Sequence, residues 1–311
     1  MKKPIFLVLF FLVAVAFQAQ AQKISKTDMA ALQRKEDTLI RLAKNIFLDS
    51  MSAGRMRSDS QFVKTLVRGL QIRNSFYYPF DSVKGISALY APDSAFRIFT
   101  WQIDFDGYYI RQRGAIQFPT ADGALKLVPL RDYSEFTDLA TDSVRNKDNW
   151  IGAVYYSMIV KNHNGKKYYT LFGFDGNSPQ SNKKWIEVLS FDQRNMPVFG
   201  NAVFSFEKDS VKRKDQRRYF IEYKKEASTT VNYDEELDMI LIDHLISESD
   251  EPENAWTLVP DGDYEGFKWV NGKWLHVDKV FDFKLEDGQF PMPKPYHDTD
   301  PKTDKSKKKK D

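Results

Sequence analysis

Apolar residues near the start of the chain follow a helical pattern. From Thr27 to Met51 they recur every three or four positions, which places them on one face of a helix. The polar stretch at residues 52–60 is expected to form a loop that ends this helix. The same periodicity returns at Phe62 and continues to about Asn74. The pattern therefore predicts a helical hairpin with one apolar face that another layer must cover.

Beyond this hairpin the pattern changes to short runs of β-branched and aromatic residues separated by turn residues. Two hairpins are the clearest, because Asn164-Gly165 and Asn271-Gly272 are dipeptides that favour type I′ turns. We expect an α+β, β-dominated fold, in which the helical hairpin precedes an antiparallel domain of sandwich-like or barrel-like form. The hairpins recur at fairly regular spacing, so a propeller-like β repeat is the alternative.

The two ends of the chain differ from the part between them. Residues 1–21 combine a basic start, a short apolar run and a small-residue site at Ala19-Gln20-Ala21, as a secretory signal peptide does. We expect cleavage after Ala21, export to the periplasm or beyond the cell, and no transmembrane span after cleavage. Residues 291–311 are rich in lysine, proline and aspartate and nearly free of apolar residues, so we expect a disordered tail.

These patterns divide the chain into four segments. The predicted segments are a signal peptide at 1–21, an N-terminal helical segment at 22–80, an antiparallel β domain at 81–290 and a disordered tail at 291–311.

The composition excludes several kinds of chemistry. The chain has no cysteine, so it can form neither disulfides nor cysteine-bound zinc sites, and it has no thiol nucleophile. A net charge of +3 in 311 residues gives no reason to expect nucleic acid as a partner. The four histidines show no catalytic or metal-binding spacing, so we predict no cofactor and lean against an enzyme.

The segment Asp175-Gly176-Asn177 lies in a loop between two predicted strands, and Asp175 and Asn177 are candidate ligand-binding residues. A calcium loop would need a glycine at its sixth position and a glutamate at its twelfth. This chain has Gln180 and Ile186 there, so no metal is predicted. A plain hairpin connection is the competing explanation, because aspartate, asparagine and glycine are also the residues that turns require. By the same reasoning, residues 104–107 and 261–263 are predicted turns.

Three more residues are candidates for ligand binding. Trp269 and Trp274 flank the second Asn-Gly turn, so we expect an exposed aromatic pair there that could stack on a ligand. Asp243 precedes His244 in a predicted strand, where neighbouring side chains point to opposite faces. The two residues therefore cannot pair as catalytic base and orienting carboxylate. Asp243 is expected on an apolar face, where a buried carboxylate is commonly bound to backbone amides.

Several stretches taken together resemble a family of exported proteins of Bacteroidota. They include GFDGN at 173–177, DMILIDHL at 238–245 and VPDGDYEGFKWVNGKW at 259–274. The similarity covers roughly Ser87 to Trp274, which is most of the chain after the signal peptide. The family has no assigned activity, so the resemblance implies a lineage and an exported location rather than a mechanism.

The sequence thus favours an exported protein of the Gram-negative envelope that acts as a non-enzymatic binding or structural module through its β domain. The alternative is a carbohydrate-active enzyme, or an accessory protein of one, that works through carboxylates and exposed aromatic residues. The sequence does not identify the partner, and a glycan and another envelope protein are the two classes left open.

Overall fold

The computed structural model describes residues 24–281, so the predicted signal peptide and tail lie outside the described residues. Two helices come first, α1 (Lys26–Leu48) and α2 (Ser52–Leu70). The strands, in chain order, are β1 (Ser87–Tyr90), β2 (Arg97–Phe105), β3 (Tyr109–Phe118), β4 (Lys126–Leu130), β5 (Arg145–Asn146), β6 (Val154–His163), β7 (Lys166–Asp175), β8 (Ser181–Phe191), β9 (Pro197–Phe199), β10 (Phe204–Ser205), β11 (Arg218–Lys224), β12 (Val231–Asp234), β13 (Met239–Ser247), β14 (Leu258–Val270) and β15 (Lys273–Val277). Neither helix is long and apolar enough to cross a membrane.

The predicted helical hairpin is confirmed, but the loop predicted at residues 52–60 is wrong. Those residues form the first turns of α2. Just before the helix, the Asp49 carboxylate accepts a hydrogen bond from the Met51 amide at 2.9 Å. The polar residues that suggested a loop make tertiary contacts instead. Asp59, only 1% exposed, accepts hydrogen bonds from Trp101 Nε1 at 2.9 Å and from Arg113 Nη2 at 2.7 Å. A polar residue with such partners is compatible with a helix interior.

The strands form three sheets. The first sheet has the order β1-β2-β3-β4, and the third has the order β10-β15-β14-β13-β12. The middle sheet has the order β5-β9-β8-β7-β6, and β11 pairs with the part of β8 that β9 does not reach. The pairs are antiparallel except for the short β10–β15 pair, which is parallel.

The helices cover one face of the first sheet. Alternate residues of a strand point to opposite faces. Accordingly, Phe99, Trp101 and Ile103 of β2 pack with the helices, whereas Ile98 belongs to the core between the first and middle sheets. The apolar stripe of the predicted hairpin is therefore buried against β2.

The middle sheet is buried on both faces. Leu171 and Leu189 lie in the core shared with the first sheet, while their neighbours Phe172 and Val188 lie in the core shared with the third sheet. The hairpin and the three sheets thus stack in four layers and form one compact unit up to Val280. The β-dominated class is confirmed, with 41% of the described residues in strands and 21% in helices. The sheets stay open and stacked, so the propeller-like alternative is not what the structure shows.

The two predicted Asp-Gly turns have different outcomes. Residues 104–107 include the end of β2 and the start of the β2–β3 turn, with positive φ angles of 59° at Asp106 and 79° at Gly107. Residues 261–263 instead lie inside β14, opposite a shift in its pairing with β13. Aspartate and glycine there serve a β-bulge, in which Gly262 takes a φ of 95°.

Candidate functional site

A cleft of about 430 Å³ opens where the first and middle sheets meet. We call it the Asp175 cleft. Its walls come from the β2–β3 turn at residues 108–110, the irregular segment between residues 134 and 141, the β7–β8 connection, and strands β8 and β11. The volume falls in the range typical of small-ligand sites, and such sites commonly lie between structural layers.

The β7–β8 connection is the predicted hairpin connection, and β11 holds it in place. Glu222 Oε1 accepts hydrogen bonds from Asn177 Nδ2 at 2.8 Å and from Ser181 Oγ at 2.6 Å. Lys225 Nζ donates to the carbonyl of Gly176 at 2.7 Å. Asn177 has a φ of 47°, a backbone conformation that asparagine tolerates better than most residues. The connection is therefore ordered in advance of any ligand.

Gly176 brings this connection against the β2–β3 hairpin. A Cβ atom at this position would lie 2.5 Å from Ile110 Cδ1, so any larger residue would require the Ile110 side chain to shift. The Gly176 amide also donates to Gln102 Oε1 at 3.1 Å. The close approach lets loop residues from the middle sheet and turn residues from the first sheet line one cleft.

Asp175 is the most unusual polar group in this cleft. Its Oδ1 accepts from the Asn177 amide at 3.0 Å and from Gln112 Nε2 at 2.9 Å. Within residues 24–281, Oδ2 has no hydrogen-bond partner and the carboxylate forms no ion pair. Burial raises the pKa of Asp175, while the Asn177 amide and the charge of Lys183 partly oppose that rise. The carboxylate is therefore partly buried, and Oδ2 is free to accept a hydrogen bond.

Aromatic and aliphatic side chains form the rest of the cleft. The rings of Trp185 and Phe220 lie 4.7 Å apart between centroids, at an interplanar angle of 39°. Trp185 is 6% exposed, and its buried Nε1 has no hydrogen-bond partner among the described residues. At the rim, Tyr108 is 85% exposed and Leu139 is 71% exposed. Such exposed apolar groups beside a cavity are typical of binding surfaces.

The charged groups in the cleft are predominantly acidic. Its lining contains the carboxylates of Glu135, Asp138 and Asp175, and a single ammonium, that of Lys183. Lys183 Nζ lies 3.3 Å from Glu222 Oε2, so its charge already has a partner. The Glu135 and Asp138 side chains are exposed and form no ion pair within residues 24–281.

Two of the five predicted site residues, Asp175 and Asn177, line this cleft, and the other three do not. The expectation that Trp274 is exposed is wrong, since it is 0% exposed and donates through Nε1 to Thr170 Oγ1 at 3.1 Å. Trp269 is half-buried and packs edge-on against Trp274 at 5.1 Å. Trp274 is buried because β15 lies inside the third sheet, between β10 and β14, with one face against the middle sheet.

Asp243 is buried, as its predicted position on an apolar face implies. It is 9% exposed, and its Oδ2 accepts a hydrogen bond from the Thr230 amide at 2.6 Å. His244 does not pair with it, because His244 Nδ1 lies 2.8 Å from Asp261 Oδ2 on the neighbouring strand. The contacts of Asp243 are those of a structural carboxylate bound to the backbone.

A second group of charged and polar side chains lies between the third sheet and β11 and is called the His276 cluster, comprising Asp209, Tyr219, Glu265 and His276. His276 is 3% exposed, with Nδ1 2.9 Å from Asp209 Oδ1 and Nε2 3.3 Å from Glu265 Oε2. Tyr219 donates to Glu265 Oε1 at 2.6 Å. Burial lowers the pKa of His276, but its hydrogen bonds to Glu265 and Asp209 outweigh burial, so the pKa is raised overall.

Sequence reasoning missed most of the cleft. Trp185, Phe220, Tyr108, Glu135 and Asp138 come from four separate segments that only the stacking of the sheets brings together. One available signal was the stretch from Tyr133 to Leu139, where acidic residues alternate with apolar ones that prove to be exposed. Within residues 24–281, no three histidine, aspartate or glutamate side chains converge as a metal site would require.

Comparison with known proteins gives no information on the function of the cleft. No family model matches the chain, and neither a curated protein nor a solved structure matches it. The resemblance to exported proteins of Bacteroidota therefore stays a prediction, and the functional argument depends on the geometry of the cleft.

Proposed function

We propose that the protein is an exported binding module of the Gram-negative envelope and that it holds its ligand in the Asp175 cleft. One observation carries the proposal: a partly buried carboxylate with an oxygen that has no protein partner lies on the wall of a cavity of ligand size. A ligand that donates to Oδ2 would form a charge-assisted hydrogen bond, which is roughly twice as strong as a neutral one.

The state of the surrounding loop supports a binding role. Because Glu222 and Lys225 already hold the β7–β8 connection, a ligand would not have to order it. Less conformational entropy is then lost on binding, which increases affinity for the same contacts. The exposed rings and chains at the rim, such as Tyr108 and Leu139, supply apolar area for the ligand to cover.

The location in the envelope rests on the sequence of the first 21 residues, which has the features of a signal peptide. Periplasmic and secreted destinations both agree with that reading. A cysteine-free chain with a large core suits either compartment, since it depends on packing and not on disulfides for stability.

A carbohydrate-active enzyme is the second candidate, because Glu135 and Asp138 share the cleft with Asp175, whose pKa is raised. Glycoside hydrolysis uses two carboxyl groups, one of them a general acid of raised pKa. We place binding first because catalytic groups need partners that fix their orientation. The side chains of Glu135 and Asp138 have no hydrogen-bond partner within residues 24–281.

A thermal-shift screen of the full chain against soluble envelope glycans, dietary glycans and envelope-derived peptides tests the proposal. A ligand that binds only the native state adds about 2.7 kcal/mol of stability at 100 times its Kd. We expect at least one ligand to shift the wild-type protein, and the shift to be lost in Asp175→Asn. The matched control is Asp148→Asn, whose side chain is 68% exposed and pairs with Lys147 outside the cleft.

Two outcomes would change the conclusion. If the same ligand shifts wild type and Asp175→Asn equally, the cleft is not its binding site. If a bound glycan is also cleaved, with new reducing ends appearing over time, the enzymatic candidate replaces the binding module.

A further inference from the structure

We propose that the Asp175 cleft selects a cationic organic group, an ammonium or guanidinium, that a peptide segment of a partner protein presents. This inference rests on the proposed function, since it names the class of ligand for the same cleft. Its basis is the set of hydrogen-bonding atoms in the cleft. Some of them already have protein partners, and the others are free to bond to a ligand.

The free polar atoms of the cleft are mostly acceptors. Both Oδ1 contacts of Asp175 come from protein donors, which leaves Oδ2 to accept from a ligand. The two amide hydrogens of Asn177 are used by Ser181 Oγ and Glu222 Oε1, each at 2.8 Å, so Asn177 can offer only its Oδ1. The exposed carboxylates of Glu135 and Asp138 add four more acceptor oxygens. A ligand group with several donors fits such a wall.

The charge in the cleft favours a cation over a neutral donor. Lys183 is the one basic residue among those that line it, and Glu222 pairs with it at 3.3 Å. Asp175, Glu135 and Asp138 form no ion pair with a cation of the lining, and Lys183 acts on Asp175 only at longer range. A hydrogen bond between charged partners is roughly twice as strong as a neutral one, and a partly enclosed site screens the attraction less than bulk water does.

The aromatic residues suit the same group. A cation lying over an aromatic ring gains about 0.5–1 kcal/mol at exposed sites and more when it is desolvated. The Phe220 ring already accepts one such contact, from Lys183 Nζ at 5.5 Å, and the Tyr109 ring accepts another from Arg111 at 5.9 Å. Tyr108, at 85% exposure, presents a ring for which the described residues provide no cation.

The exposed apolar residues at the rim point to a peptide and not to a free amine. Leu139 is 71% exposed and Tyr108 is 85% exposed beside the cavity. A ligand that covers this rim and also reaches Asp175 must therefore carry an apolar group as well as a cation. A peptide segment with a basic side chain and an apolar neighbour supplies both.

Isothermal titration calorimetry of the full chain at pH 7 tests this inference with four matched probes. The probes are N-acetyl-phenylalanyl-lysine amide, its Nε-acetyl-lysine form, its glutamate counterpart, and cadaverine. We expect the lysine dipeptide to bind at least tenfold more tightly than the other three, and to weaken as sodium chloride is raised from 50 to 500 mM.

Three variants complete the experiment. Asp175→Asn should weaken the lysine dipeptide at least tenfold, and the double variant Glu135→Gln/Asp138→Asn, on an exposed segment, should weaken it several-fold. Asp148→Asn, outside the cleft, should leave the affinity unchanged.

The failure of this inference can be told apart from failure of the proposed function. No binding of the lysine dipeptide, or equal binding of its acetylated form, overturns the inference. Equal binding of cadaverine overturns its peptide part. A neutral glycan that binds wild type but not Asp175→Asn overturns the inference and leaves the proposed function intact. If a ligand binds wild type and Asp175→Asn with equal affinity, the proposed function fails as well.

Discussion

The Asp175 cleft and the His276 cluster both remove carboxylates from water, yet they treat them differently. In the His276 cluster every carboxylate oxygen has a partner: Asp209 is held by Arg213 and His276, and Glu265 by Tyr219 and His276. In the cleft, Asp175 uses one oxygen and leaves the other facing no protein donor. Asp209 of the cluster also forms an ion pair with Arg213, whereas Asp175 forms no ion pair within residues 24–281.

This difference in hydrogen-bond partners distinguishes a carboxylate that stabilises the fold from one that is available to a ligand. Perturbed pKa values occur at both places, so a shifted pKa alone does not mark a ligand site. What distinguishes the cleft is an unsatisfied group next to empty volume. The account therefore predicts that changes in the cluster affect folding, while changes in the cleft affect binding.

The largest effect on stability is expected from His276→Ala. The substitution leaves Asp209 with Arg213 alone and Glu265 with Tyr219 alone, and breaking a buried charge pair costs up to about 3–5 kcal/mol. Urea denaturation measures the loss. His163→Ala is the control, since His163 lies in a hairpin and its ring bonds only to the adjacent Asn164, and it should change stability by less than about 0.5 kcal/mol. A loss below about 1 kcal/mol for His276→Ala would show that the cluster is not a stabilising network.

The cluster should also set the pH dependence of stability. The pKa of His276 is raised, so its stabilisation is full below the ordinary histidine pKa of 6.5 and is lost as pH rises through the raised value. Burial raises the pKa of Glu265, but its bonds to His276 and Tyr219 outweigh burial and lower it overall. Its stabilisation is present above the ordinary pKa of 4.5 and is lost as pH falls through the lowered value.

The free energy of unfolding should accordingly be highest between about pH 4.5 and 6.5, as far as this cluster determines it. Urea denaturation of wild type and His276→Ala from pH 4 to 9 checks the point. The variant should lack the decline above pH 6.5 that the wild type shows. Parallel curves in that range would mean that another group causes the decline.

A smaller effect is expected from Gly176→Ala, which tests how the cleft is built. The added methyl group would lie 2.5 Å from Ile110 Cδ1, so the Ile110 side chain must shift to a less favourable position. We expect a loss of about 1 kcal/mol in stability, as for mild overpacking, and weaker ligand binding. Ile110→Val removes Cδ1, so the double variant should recover most of the loss. Equal losses in the single and double variants would place the strain elsewhere.

Much of the fold could be predicted because its local signals are strong. The periodicity of α1 and the Asn-Gly turns at 164 and 271 each depend on nearby residues, and each is confirmed. The start of α2 could not be predicted, because the polar residues near Asp59 are stabilised by Trp101 and Arg113, which are distant in sequence. The stacking order of the sheets was equally hidden, since strands buried on both faces show no alternation.

The candidate site was predictable only in its loop. Asp175 and Asn177 stood out because turn chemistry and ligand chemistry use the same residues. Trp274 was misjudged because a position beside a turn suggests exposure, whereas the neighbouring strands β10 and β14 and the middle sheet enclose it. Trp185 and Phe220 gave no sign of belonging to a cleft, since their roles depend on the pairing of β8 with β11.

The most direct test of the account needs no ligand: the free energy of unfolding of Asp175→Asn at pH 7, measured by urea denaturation beside wild type. Asparagine can keep both Oδ1 contacts while removing a partly buried charge that has no ion pair within residues 24–281. The account predicts a value within about 1 kcal/mol of wild type, or a higher one, as is common when a functional group is replaced. Because burial raises the pKa of Asp175, any gain should shrink as pH falls and the wild-type carboxyl group takes up its proton. A loss of more than about 2 kcal/mol would contradict the account, because Asp175 would then stabilise the fold as the His276 cluster does.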